Sequence, residues 1–187
     1  MSGHEHIDPS NKKIALLIAV LALILAFSET LAKSAQTSAL SYTIEASNLW
    51  SFFQAKTIRM TTVRTAIEAA ETELKQTNVP ALKEVLQERI ESWKKTAARY
   101  DSEPETQEGR KELMARAKIA ENKRTQSMAA YHHYELASAA LQIAIVMASA
   151  EIITGVAALI WVSGGLGIVG LVFSLIGFFA PMAIHLF

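Results

Sequence analysis

The chain has 187 residues, of which 51% are apolar, 19% are charged and none is cysteine. The missing thiols exclude a disulfide scaffold, a thiolate zinc site and a cysteine nucleophile. Lys plus Arg equals Asp plus Glu at 18 each, and this balance argues against nucleic acid, whose binders carry a basic excess.

Mean hydropathy is +0.22, and the apolar residues are segregated rather than spread. A polar tail, residues 1–13, comes first. Its His4 and His6 form a His-x-His spelling that is weak evidence for a metal in a disordered tail. Ile14 to Phe27 is then an unbroken apolar run of 14 residues, preceded by Lys12 and Lys13. A membrane span needs roughly 20 residues, and the run reaches that length if the helix continues through Ala32. Residues 14–32 are therefore the first expected span. A signal peptide cleaved near Thr30-Leu31-Ala32 is the rival reading. The lack of a helix breaker after Phe27 favours a retained anchor.

No Gly or Pro occurs between Pro9 and Pro80. Helix can run from about Ile14 to about Thr77, on the order of 95 Å at 1.5 Å per residue. Along it, Ala39, Tyr42, Ala46, Leu49, Phe53, Lys56, Met60, Val63, Ile67, Ala70 and Leu74 keep a 3-4 spacing. That is a heptad seam, the pattern of a coiled-coil-like contact. Lys56 is its one polar break. It either fixes register or snorkels to a groove edge. Asn78-Val79-Pro80 ends this helix, and Leu82, Leu86, Ile90, Trp93, Ala97 and Tyr100 line a second. Pro104 is placed to open a third. The middle, residues 33–135, is thus expected as an extramembrane helical hairpin with helices at about 33–78, 80–100 and 104–135. No strand-like alternation appears.

Two more apolar runs close the chain. Leu136 to Val162 is interrupted by polar residues that include Gln142, Ser149, Glu151 and Thr154, and Leu166 to Phe187 by Ser174, Pro181 and His185. With the Ser163-Gly164-Gly165 link they predict two spans, 136–162 and 166–187, turning at that link. The fold class expected is all-α, with three transmembrane helices and a long coiled-coil-like hairpin. Lys12 and Lys13 favour a cytoplasmic N-terminus, and a long central region translocates largely regardless of its charge. The expected location is a membrane crossed several times, with the N-terminus inside and the central domain outside; the resemblance described next makes that a bacterial inner membrane with the central domain periplasmic.

The segment Trp50-Ser51-Phe52-Phe53-Gln54-Ala55-Lys56-Thr57-Ile58-Arg59 is distinctive, as is Leu141-Gln142-Ile143-Ala144-Ile145. With the order of tail, span, charged helical middle and apolar hairpin, the chain resembles the bacterial "domain of unknown function 4337" membrane family over nearly its whole length. The resemblance implies a membrane location and this architecture, but no reaction. Family members often carry basic residues between the last two spans, which would put that turn in the cytoplasm. Here the expected turn is uncharged.

Glu151 is the most informative single residue. Near the middle of the second expected span, an acidic side chain costs about 2.5 to 3.5 kcal/mol on insertion scales. It shares a face with Ala137, Ala140, Ala144, Ala148, Gly155 and Ala158, and small residues mark close helix packing in lipid. Glu151 is expected to be a proton or ion site, a polar contact that locks an oligomer, or a protonated carboxyl hydrogen-bonded to a neighbouring helix, and Gln142, Glu29 and Lys33 are grouped with it as polar or oligomer contacts. Gln142 lies in the same span. Ala15, Ala19, Ala22 and Ala26 form a stripe in the first span that Glu29 and Lys33 continue, four apart in the order that favours a local ion pair. Gly167, Gly170, Ser174, Gly177 and Pro181 form a third stripe. Three small faces exceed what one thin bundle can use, which predicts a homo-oligomer, and the heptad seam points the same way.

Gly165-Leu166-Gly167-Ile168-Val169-Gly170 fits a dinucleotide-binding spelling but lacks the preceding strand that chemistry requires. His132 and His133 project about 100° apart on a helix and read as interface anchors beside Tyr131 and Tyr134. Trp50, Phe52 and Phe53 read as core. No catalytic, cofactor or metal site is expected. The function expected is a homo-oligomeric helical scaffold or interaction protein, with the lipid bilayer, other copies of itself and an unidentified protein as partners. The alternative is a channel or transporter component using Glu151.

Overall fold

A computed structural model describes residues 9–184, so His4, His6 and His185 lie outside the described residues. Every regular element among them is an α-helix: α1 Pro9–Gln76, α2 Pro80–Asp101, α3 Arg110–Thr154 and α4 Ala158–Phe179. Three of these, α1, α3 and α4, are long and apolar enough to cross a membrane. The chain divides into two compact units, residues 41–122 and the remainder, with α1 and α3 contributing to both.

In residues 41–122 the seam of α1 is the core. Ala46, Leu49, Met60, Ile67 and Ala70 are buried, and Phe53, Val63 and Leu74 are partly so. Ile67 and Ala70 pack on Leu86 and Ile90 of α2, with Trp93 beside them. Leu49 packs on Leu113 and Ala117 of α3, with Trp50, Phe52 and Phe53 around it. The partners of the seam are therefore α2 and α3 of the same chain, and this face is not open to a second copy. Val79 stays extended, as the residue before a proline must, and Pro80 opens α2 with the fixed φ a first turn needs.

The third helix starts later than expected. Pro104 lies in a run of turns, and α3 begins at Arg110. The Glu112 side chain holds the loop shut. It accepts from Ser102 Oγ at 2.6 Å and from the Glu103 backbone N–H at 3.1 Å. Gly109 allows the approach, since an added Cβ would collide with the Glu112 carboxylate, Glu103 N and Ser102 Cα.

The other unit is a three-helix bundle. Gly167 meets Leu21, and Ser174 meets Ser28, so α4 runs parallel to α1. Gly177 packs on Tyr134 and His133, Gly170 on Ala137 and Leu141, and Ser163 on Ala144, so α3 runs antiparallel to both. Leu21, Leu141 and Ala144 form the core, flanked by Leu17, Ile24, Leu25, Ile145 and Leu166.

The turn between the last two helices lies at residues 155–157, not at Ser163-Gly164-Gly165. Gly155 takes φ +68°, a left-handed conformation that ends a helix and suits glycine. Ser163, Gly164 and Gly165 are inside α4, where Ser163 Oγ donates to the Ala144 carbonyl at 2.8 Å. The second expected span thus ends at Thr154, and the third covers Ala158–Phe179 instead of 166–187.

Candidate interaction surfaces

The earlier turn moves Glu151. It sits one turn before the end of α3, toward the end of the bundle where α1 begins, not at mid-span. Its carboxylate is partly buried, and Oε2 has no hydrogen-bond partner. Gly155 leaves the small face it was grouped with: it is exposed in the turn, and nothing approaches its Cβ position.

The small faces of α3 and α4 are filled inside the bundle. Ala137, Ala144 and Ala148 are fully buried. A Cβ on Gly167 would lie 2.6 Å from Leu21, and one on Gly170 2.6 Å from Leu141. The stripe on α1 differs. Ile14, Leu21 and Ser28 turn inward, while Ala15, Ala19, Ala22 and Ala26 are all exposed, bordered by exposed Leu16, Val20, Leu23 and Phe27. At the end of this stripe Glu29 does not pair with Lys33. Gln142 Nε2 donates to Glu29 Oε1 at 3.2 Å, and Glu29, Gln142 and Lys33 are all exposed.

Hydroxyls tie the bundle together. Ser28 and Ser174 bond at 2.7 Å, and Ser174 also reaches the Gly170 carbonyl at 3.0 Å. His133 is fully buried rather than an interface anchor. Its Nε2–H donates to the Pro181 carbonyl at 3.1 Å, because a carbonyl only accepts, and its ring stacks on Phe173. Ser28, Ser163 and His133 had no periodic signal of their own; only the opposite helix reveals their use.

In residues 41–122 the polar chemistry gathers at one place. Lys56 is buried with Nζ 3.7 Å from Glu103 and 4.0 Å from Glu108, over the rings of Phe52 and Tyr100. It neither reaches solvent nor stands alone in the seam; the α2–α3 loop covers it. Arg110 donates to Thr57 at 2.9 Å and to Asp101 at 3.2 Å, over the Phe53 ring. Trp50 Nε1–H donates to Glu121 at 2.8 Å. The Lys111 ammonium holds the Asp101 carboxyl below its ordinary range, the Arg99 guanidinium does the same to Glu103, and the Ser102 hydroxyl with the Glu103 N–H to Glu112. These residues fasten helices together, and among the described residues no group of His, Asp or Glu is placed to hold a metal.

A family model described as "Domain of unknown function (DUF4337)" matches residues 10–180. The chain belongs to this family. No curated protein and no solved structure matches it. In this DUF4337 chain the segment that carries the resemblance, Trp50 to Arg59, is the one that supplies Lys56, Phe52, Phe53 and Thr57 to the polar node. Sequence reasoning missed Arg110, Glu103 and Glu112 as members of that node. Their spacing to Lys56 is set by the loop, which no local pattern encodes.

Proposed function

We propose that the protein is a homo-oligomeric, membrane-anchored helical scaffold with no reaction of its own. The bare alanine stripe of α1 carries this reading. Lipid tails gain nothing from small side chains, whereas a second helix does, because they let backbones approach closely. The exposed Glu29–Gln142 pair at the end of the stripe adds to it. A carboxylate at the hydrocarbon edge is costly, and a second α1 brings Lys33 within reach of Glu29. The bilayer seats the three-helix bundle. Residues 41–122 then stand outside it as the part offered to a protein partner. Lys12 and Lys13 support an N-terminus on the cytoplasmic side; the family resemblance supports a bacterial inner membrane, with residues 41–122 on the periplasmic side.

The absence of native cysteine makes the test clean. Ala22→Cys should form disulfide-linked dimers on oxidation in membranes, and Ala19→Phe with Ala22→Phe should abolish self-association. A single copy per lipid disc at all protein concentrations would overturn the reading. A channel component is the second reading, favoured by the unpartnered Glu151 Oε2. Proton or cation flux in liposomes that disappears in Glu151→Gln would select it.

A further inference from the structure

The stretch of α1 within residues 41–122 has a second periodic face, opposite the filled seam. From Ile44 to Thr72 it repeats every four and three residues, and every position is exposed and uncharged. Ile44 and Ile58 fall at one heptad position, d, and Asn48, Ala55, Thr62 and Ala69 at the other, a. Its letters look half polar, but three of its hydroxyls are turned away from solvent. Ser51 donates to Ser47 O, Thr62 to Ile58 O and Thr72 to Glu68 O, at 2.9 to 3.0 Å. These hydroxyls are turned into their own helix, so Thr62 and Thr72 offer methyl groups outward beside Ile58, which is 67% exposed.

Thr65 makes no such bond, and Asn48 is the one amide on the face. It stands at an a position, exposed, with a side chain that makes no hydrogen bond among the described residues. A single Asn at an a position is the device by which two parallel helices fix register and pair number, each amide bonding the other. Anchoring in one bilayer makes copies parallel and level, as such a pair requires. From this we infer that the outer face of α1 between Ile44 and Thr72 is a two-stranded seam with a second copy of this chain, registered by Asn48 against Asn48. The flanks are compatible: Gln54 falls opposite Arg59 of the second copy, and Thr61 opposite Ala66. Glu68 opposite Glu73 is one like-charge contact. With small seam residues, it keeps pairing weak unless anchoring raises the local concentration.

This inference rests on side-by-side anchoring, so its test carries a control for it. Ile58→Cys and Thr65→Cys in full-length protein in membranes should cross-link on oxidation about tenfold more than Arg64→Cys, which equals 1.4 kcal/mol of preference. Mixed Ile58→Cys and Thr65→Cys chains, one heptad out of step, should cross-link far less than matched pairs, and Asn48→Leu should lower the matched yield at Ile58→Cys; an unchanged matched yield overturns the pairing of Asn48 with Asn48. Cross-linking at Ala22→Cys without Ile58→Cys overturns the seam and leaves the scaffold reading standing. Cross-linking at neither overturns both. Equal yields at Ile58→Cys and Arg64→Cys, or an adduct with a different protein, overturns the second copy as occupant.

Discussion

At the scale of single residues, the loop between α2 and α3 shows how a surface carboxylate acts as a fastener. Asp101, Glu103 and Glu112 all have carboxyl groups held below their ordinary range, by Lys111, Arg99 and the Ser102 hydroxyl respectively. A carboxylate with a folded value below its unfolded one contributes stability above the unfolded value, near pH 4. That contribution is lost as pH falls through the folded value. We expect amide exchange in residues 102–109 to be slow and level from about pH 5 to 8, once corrected for intrinsic rates, and to accelerate as pH drops below about 4. Unchanged protection at pH 3 would show that Glu112 is not the fastener. None of this was legible in the residues alone. In sequence Glu103 is one acid among several in a polar turn; what fixes it is Arg99 one turn back and a loop geometry that Gly109 permits.

Elements were legible where periodicity spoke and not where a single backbone angle decided. The 3-4 spacing of Leu49, Met60 and Ile67 led directly to the buried face of α1, since burial follows the helical period. The last turn was misplaced because Ser163-Gly164-Gly165 has the composition of a link, and Gly155 stands as a lone glycine in an apolar run. What separates them is φ +68° at Gly155 and the Ser163 bond to Ala144, neither of which composition records. The same glycines give a graded test. Gly170→Ala would push a Cβ to 2.6 Å from Leu141 and 3.0 Å from the Ala137 carbonyl, whereas Gly164 has nothing within 4 Å. We expect Gly170→Ala to destabilise by about 1 to 3 kcal/mol and Gly164→Ala to be neutral or stabilising by up to about 1 kcal/mol. Thermal unfolding in detergent compares the two. Equal melting temperatures would contradict the α1–α3–α4 packing.

At the scale of the molecule, residues 41–122 form one continuous stretch with its own clusters, Ile67 with Leu86 and Ile90, and Leu49 with Leu113 and Ala117. Its apolar contacts close within itself. We expect a fragment of residues 41–122 to be helical in water without detergent and to melt in one cooperative step by circular dichroism. A gradual, non-cooperative loss of helix would mean that these clusters do not make a core. The family was legible from the Trp50–Arg59 segment and the order of features. The open face of the bundle was not legible, because the stripe of Ala15, Ala19, Ala22 and Ala26 looks the same in sequence as the stripes that α3 and α4 bury. Which stripe stays open depends on how three helices rotate against one another.

The parallel course of α1 and α4 has a practical corollary. Leu21 beside Gly167 and Ser28 beside Ser174 keep the two helices in step, so the start of α1 and the finish of α4 emerge at opposite ends of the bundle. With the bundle seated in a bilayer as proposed, an epitope tag ahead of residue 9 and another after residue 184 would be shaved by protease from opposite faces of a sealed vesicle.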